Sequence, residues 1–535
     1  RRIKATTGSR FFAAAWRRLH PDGWFSLCPP RKIFAQRKFR VNSCATAPLP
    51  LESLVRLMGE NLQGKSPLCV DLDGTLIRTD LLWESLLALL KQSPLSVFQL
   101  PFWLLKGKAS FKHEIARRVT LDASTLPYDQ ALVEFLSNER RAGRELVLAT
   151  ASHESFARAV AAHLGLFDER VFGSDASTNL KGARKVALLV ERYGARRFAY
   201  AGNSTADLPV WAEANEAIVV NASAGLVSRA QTLTPVSRVF SEPVKWLKQV
   251  AKALRVHQWA KNVLVFIPVV ASHQITNRAL MLQATLAFLS FSFSASAVYI
   301  VNDCLDLASD RRHPRKKYRP FASGSLSIPF GLLLAAGCLV GGILLALALP
   351  SPFLLVLAGY LVLTTGYSFY LKRFVLLDVI VLAQLYTVRV YGGGAATGVA
   401  PSHWLLTFSL FLFLSLALVK RFTELRLTGE AEGKELHGRG YWVTDLEHVS
   451  SIGTASGLLA VLVLALYISS KEVLLLYTHA DVLWLVCPVM LYWISRVWML
   501  AYRNRMDDDP VVFAVKDSKS YLMAAIIGAI LFFAK

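Results

Sequence analysis

Paired cysteines are missing from this chain. Its six cysteines (Cys28, Cys44, Cys69, Cys304, Cys338 and Cys487) include no CxxC and no paired spacing, so neither a zinc knot nor a disulfide framework is implied. Acids are scarce at the start: Asp22 is the only one in the first fifty residues, which are rich in Arg and Lys and hold no initiator Met. A transit peptide has such a composition, and so does an over-extended reading frame. Residues 1–57 are therefore read as a basic leader, disordered or an extension of the frame, and are given no function. Apolar residues are not scarce. At 53% of the chain, with a mean hydropathy of +0.38, they exceed what an ordinary soluble protein carries. A net charge of +22 would suit nucleic acid. Most of it lies in the leader and in loops between apolar runs, so membrane lipid, and no nucleic acid, is the expected partner.

Residues 58–225 read as a mixed α/β domain. Short apolar runs end at Asp71, Thr150 and Gly202, a fourth spans Ala217 to Asn221, and helical patterns lie between them. Buried strands alternating with helices indicate a parallel, doubly wound sheet of Rossmann type, with ligands at the carboxyl ends of its strands. Residues 80–125 interrupt the alternation with helical sequence and read as a cap over the site; their apolar Phe102-Trp103-Leu104-Leu105 suits contact with lipid. Residues 226–255 read as a linker.

Asp71-Leu-Asp73-Gly74-Thr75-Leu76 stands directly after a buried strand. An aspartate there suits attack on a phosphoryl group, and a second acid two residues on suits protonation of the leaving oxygen and activation of water. A hydroxyl at a second strand end (Thr150) and a lysine at a helix start would bind phosphoryl oxygens. These residues resemble the haloacid dehalogenase phosphatase superfamily over roughly 66–225. The resemblance implies Asp71 as nucleophile, Asp73 as acid/base, Thr150 as phosphate ligand and Lys185 as the lysine, with Lys181 as the alternative. It also implies Mg2+ held at Asp71, Asp73, Asn203 and Asp207. The fourth motif departs from the family: Gly202-Asn203-Ser-Thr-Ala-Asp207 has an amide where an acid is usual, which lowers metal affinity.

From residue 256 onward the chain reads as an all-α bundle of nine membrane helices. The expected spans are roughly 262–276, 282–301, 328–349, 352–370, 374–394, 402–419, 450–469, 480–500 and 519–534. Basic loops at 311–319, 372–373, 420–439 and 503–516 face loops that offer only Arg278 and Lys471. The charged loops and the α/β domain are thus expected on the cytoplasmic side of the cell membrane. Lys420-Arg421-Phe-Thr-Glu424 and Asp507-Asp-Asp-Pro510 lie on that side too, the first as a candidate phosphate binder.

Asn302-Asp303-Cys-Leu-Asp306-Leu-Ala-Ser-Asp310 closes the second span, on a helix as one polar stripe. Carboxylates crowded at a membrane interface repel one another; magnesium relieves that and at the same time binds a diphosphate. Cations follow at once, from Arg311 to Lys316, Lys317 and Arg319-Pro320. This run resembles the UbiA prenyltransferase superfamily over about 250–535. Arg255-Val-His-Gln-Trp-Ala-Lys261-Asn262, His313-Pro-x-Lys316-x-x-Arg319-Pro and Tyr367-Ser-Phe-Tyr-Leu-Lys372 with Asp378 are similar to its decaprenyl-phosphate phosphoribosyltransferase branch. The resemblance implies Asp303, Asp306 and Asp310 as metal-holding catalytic acids. It implies Lys261, Asn262, Asn302, Lys316, Arg319, Lys372 and Asp378 as substrate-binding residues. The donor would be phosphoribosyl diphosphate and the acceptor a polyprenyl phosphate. Prenyl transfer from a polyprenyl diphosphate to an aromatic acceptor is the alternative, and a non-catalytic membrane scaffold the third.

Overall fold

The computed structural model describes residues 65–242, 245–428, 439–470, 473, 476–506 and 510–535; the basic leader and Asp507-Asp508-Asp509 lie outside them. The α/β half is a six-stranded sheet of β1 (Leu68–Val70), β2 (Leu146–His153), β3 (Val171–Ser174), β4 (Ala199–Gly202), β5 (Glu216–Val220) and β6 (Val236–Phe240). Their order is β3-β2-β1-β4-β5-β6, with every pairing parallel. The central strands are apolar because both faces are covered. Val70, Leu148 and Ile218 face one buried cluster, while Cys69, Val147 and Val219 face another with Trp211.

Sheet order reverses at β1, which opens a crevice beyond the carboxyl ends of β1 and its neighbours. Over it lie the cap helices α1 (Leu81–Gln92), α2 (Leu100–Leu105) and α3 (Lys108–Ala116). The helices α4 (Gln130–Arg141), α5 (Glu154–Leu164), α6 (Ala183–Tyr193), α7 (Leu208–Glu213) and α8 (Ala224–Leu233) complete the domain. The expected linker is therefore corrected. Within residues 226–255 lie most of α8, all of β6, which pairs with β5, and the amphipathic α9 (Trp246–Ala253).

The membrane half starts with a 3-10 segment, Val256–Phe266, and the short α10 (Ile267–Ala271). Here a first span was expected, but Asn262 is hydrogen-bonded inside the bundle and Pro268 has no N–H to continue a helix, so the run is broken into two short pieces, neither of them among the helices long enough to cross. Then come α11 (Arg278–Leu305), the one-and-a-half-turn α12 (Leu307–Arg312), α13 (Ile328–Leu347), α14 (Ser351–Phe369), α15 (Leu377–Thr397), α16 (His403–Thr428), α17 (Leu446–Ile468) and α18 (Val486–Tyr502). The last pair, α19 (Pro510–Lys516) and α20 (Ser518–Ala534), bends by 78° where Asp517 caps α20. Among the described residues seven helices are long and apolar enough to cross a membrane, or eight if the bent pair is one span, so the count of nine is corrected.

The two halves meet through α1. Leu87 and Trp83 join a cluster with Ala297, Ile300 and Cys304 of α11 and Phe321 beyond α12. Glu84 accepts two hydrogen bonds from Arg311, at 2.8 and 2.5 Å, with both side chains only 6% exposed. Gly324 adopts φ +72 under Arg78, where a Cβ would sit 2.2 Å from the Arg78 carbonyl oxygen.

Candidate active sites

In the soluble site, β1 delivers Asp71 into the crevice, and Gly74 (φ +76) turns the chain away from it; a Cβ at Gly74 would lie 2.1 Å from the Asn203 amide nitrogen. Lys185, at the start of α6, donates to Asp71 Oδ1 at 2.8 Å and to the Tyr200 hydroxyl at 2.9 Å. Lys185 is buried against Asp71, while Lys181, the alternative that spacing left open, is exposed. Burial raises the Asp71 pKa and Lys185 opposes the rise.

Asp73 accepts from the Leu81 N–H at 2.9 Å and from the Ser152 hydroxyl at 2.5 Å. With Asp80, whose side chain accepts from the Leu82 and Trp83 N–H groups, it caps the start of α1. Burial first, then the Asp80 charge, pushes the Asp73 pKa up to about 7. That value places a proton within reach at neutral pH, as acid–base catalysis needs.

Thr150 is buried within β2, short of its end at His153, and its hydroxyl accepts the Ser152 N–H at 3.0 Å. Asp207 is fully engaged: its carboxylate accepts from Tyr200, from the backbone of Asn203 and Ser204, and from the Ser204 hydroxyl. That holds the fourth-motif loop in shape. Asp71 and the Asn203 amide would supply oxygens to a metal at this crevice. Magnesium fits such a set, since it takes one or two carboxylates and completes its shell with water and substrate phosphate.

Sequence reasoning missed Ser152 and the cap cation Lys112. Lys112 donates to the Ala151 carbonyl at 2.5 Å and to Asn179 at 2.9 Å, and lies near enough to Asp73 to feel its charge. No local motif marks either residue, because Lys112 meets Ala151 from 39 positions away and Ser152 meets Asp73 from 79 positions away.

In the membrane site, the expected single stripe of acids is split. α11 ends at Leu305, and Asp306 sits at the bend before α12. Asp303 and Asp310 converge on one guanidinium nitrogen of Arg319, at 3.0 and 2.6 Å, and Asp303 also pairs with Arg255. Asp306 instead turns to Lys91 of α1, at 2.6 Å, and lies close to Lys372. Among the described residues no three His, Cys, Asp or Glu side chains gather closely enough to hold one metal ion. The shared-metal expectation for all three acids is corrected to a pair, Asp303 and Asp310, which still fits magnesium completed by water and substrate phosphate. Burial raises the Asp310 pKa, against the pull of Arg319. Burial lowers that of Lys372, against the pull of Asp306.

The remaining expected binding residues divide. Lys316 is exposed beside the acids, and Lys372 is half-buried at the same mouth. Lys261 joins Lys420 in lining a small cavity of about 40 Å³ with Leu382, Tyr386, Leu416 and Val511. Asn262 is 1% exposed and bonded at both ends, to Arg389 at 2.7 Å and Ser292 at 2.9 Å. Asn302 ties α11 to Ser368 of α14 at 2.9 Å. Asp378 is wholly buried between Arg421 at 2.5 Å and the Tyr441 hydroxyl at 2.6 Å. Asn262, Asn302 and Asp378 thus brace the bundle, and Arg421 neutralises Asp378 instead of reaching a phosphate. Buried ions demand such partners, which explains the pairing.

A phosphoryl-type crevice docked onto a helical bundle with acids and cations at its mouth defines a two-domain integral membrane protein of transferase and phosphatase type. The chain belongs to the UbiA prenyltransferase family, whose model matches residues 263–523. Ahead of that lies a haloacid dehalogenase-like hydrolase domain, matched over residues 68–211. The chain is 38% identical over 476 residues to the uncharacterized protein y4nM of Sinorhizobium fredii, covering 87% of this chain and 90% of that one. It is 35% identical over 279 residues to nodulation protein NoeC of Azorhizobium caulinodans, covering 52% and 89%. It is 36% identical over 207 residues to decaprenyl-phosphate phosphoribosyltransferase of Mycobacterium tuberculosis, covering 37% and 68%.

Proposed function

We propose that the membrane half transfers a phosphoribosyl group from phosphoribosyl diphosphate to a polyprenyl phosphate, and that the soluble half removes the 5-phosphate from the product. The observation that carries the first step is the mouth of the bundle, where Asp303, Asp306 and Asp310 stand among Arg255, Arg319, Lys91 and Lys372. A net surplus of cations suits a polyanionic donor. The similarity to a phosphoribosyltransferase supports that donor over a prenyl diphosphate. Lys261 and Lys420, set among apolar residues, suit the phosphate of a lipid acceptor.

The bond from the ribose anomeric carbon to the diphosphate breaks, and an acceptor phosphate oxygen bonds to that carbon through an oxocarbenium-like state. Asp303 and Asp310 would hold magnesium, which when bound would neutralise charge on the departing diphosphate. In the soluble site Asp71 attacks the 5-phosphate while Asp73 protonates the ribose oxygen; water deprotonated by Asp73 then frees Asp71. By the basic-loop asymmetry both sites lie on the cytoplasmic face.

The test incubates purified full-length protein in detergent with magnesium and labelled phosphoribosyl diphosphate or labelled polyprenyl diphosphate. Label entering lipid from the first donor, and only with polyprenyl phosphate present, is the expected result. Prenylation of an aromatic acid without such transfer overturns the proposal.

A further inference from the structure

The sheet domain and the helical bundle are parts of one compact unit, and a single helix runs between their sites. The first N–H of α1, on Leu81, is held by Asp73, while Lys91 in its last turn donates to Asp306 at 2.6 Å and to the Leu305 carbonyl at 3.0 Å. Ten residues of helix separate Leu81 from Lys91, about 15 Å at the helical rise. The two sites are therefore fixed at opposite ends of one strut rather than joined by a loose tether.

Docking does not depend on Lys91. Its side chain is 48% exposed and that of Asp306 34%, and pairs this open contribute little to stability. The buried Glu84–Arg311 pair and the apolar cluster around Leu87 hold the domains together instead. What the position does provide is a cation at the mouth of the membrane site, with its surroundings still open to solvent. It stands beside Lys372, over the carbonyl end of α11, near Asp306. Lys316, on the next loop, lies close enough to act on Asp310.

We propose that Lys91, a residue of the soluble domain, completes the anion cradle of the membrane site and binds the diphosphate of the transferase donor. This rests on reading that site as a diphosphate-using transferase centre. The soluble domain then serves the transferase directly, and the transferase half alone has an incomplete donor site. Sequence separation hides this, since Lys91 and Asp306 stand 215 positions apart in the chain.

The experiment measures binding of inorganic diphosphate with magnesium to the full chain in detergent, alongside transfer kinetics with phosphoribosyl diphosphate. Lys91→Ala is expected to weaken diphosphate binding about tenfold, the scale of one lost charge-assisted hydrogen bond, and to raise the donor KM with little change in kcat. Lys91→Arg is expected to restore most of both, and the melting temperature of either variant to match the wild type. Equal diphosphate affinity in wild type and Lys91→Ala, or tighter binding in the variant, overturns the inference, as does a wild type that binds no diphosphate. A wild type that binds diphosphate through Lys91 yet transfers no phosphoribosyl group keeps the inference and rejects that donor.

Discussion

The soluble site sets Asp71 and Asp73 against one lysine that touches the acids, Lys185, whereas the membrane site sets three acids among Arg255, Arg319, Lys91 and Lys372. In the first, acids outnumber the contacting cation and desolvation dominates, so both carboxyl pKa values rise, that of Asp73 to about 7. In the second, cations outnumber acids and the mouth attracts anions. One arrangement suits covalent attack and proton transfer, the other charge neutralisation of a leaving group. The difference lies in the supporting elements. Strand ends fix a few groups in a dry crevice, while helix ends leave several long cations around a solvent-facing opening.

The largest effect expected separates the two. Asp71→Asn removes the nucleophile and should lower phosphatase turnover about a thousandfold or more, leaving phosphoribosyl transfer intact. Mass spectrometry of lipid products should then show the 5-phosphorylated lipid accumulating only in that variant. Asp303→Ala should do the reverse, since it removes one of the two acids that face each other across Arg319 and leaves Arg255 without its carboxylate. Identical lipids from wild type and Asp71→Asn would break the assignment of the soluble domain to the transferase product.

Next in size is the seam. Glu84→Ala leaves Arg311 buried without its bidentate partner, and such losses cost about 3 kcal/mol. Faster proteolytic release of the α/β domain, with the bundle still folded, is the expected readout. Unchanged protease resistance would mean that the apolar cluster around Leu87 suffices.

A smaller effect tests Asp73. Its carboxyl, near 7, is protonated below that pH and ionised above it. Formation of the phosphoryl enzyme, which needs the protonated form, should fall about tenfold per pH unit above neutrality. Asp73→Asn should be slow at every pH, with that limb flattened. A wild-type profile flat from pH 6 to about 9 would show that Asp73 is not the proton donor.

Much of this was legible in the chain itself. β1, β2, β4 and β5 announce themselves as apolar runs ending on polar residues because they are buried on both faces. The edge strands β3 and β6 escape notice since Val171-Phe-Gly-Ser and Val236-Ser-Arg-Val-Phe are short and half exposed. Asp71 and Lys185 meet because one follows a strand end and the other opens a helix. The acid run from Asp303 to Asp310 was visible too, but not the bend at Asp306 that divides it. Nor could any local pattern give Lys91 to Asp306, or show that Asn262 and Asp378 spend their polar atoms inside the bundle. Those depend on helix packing across the chain.

The smallest effect concerns the amide at Asn203. The loop from Gly202 to Asp207 keeps its shape through four hydrogen bonds to the Asp207 carboxylate, two of them from the Asn203 and Ser204 backbones, so the side chain at 203 is not needed to build it. Its amide nitrogen lies over Gly74, at the edge of the crevice that holds Asp71. An oxygen there can reach a metal, yet an amide adds no charge to offset the positive charge of Lys185. Asn203→Asp adds that charge without changing size. Magnesium should then half-saturate phosphatase activity at a concentration several-fold lower, as expected when one neutral oxygen ligand becomes a carboxylate. Asn203→Ala should move the same midpoint the other way, with the thermal midpoint little changed. Phosphatase titrations with magnesium at fixed substrate read the shift, and equal midpoints in all three proteins would remove Asn203 from the metal site.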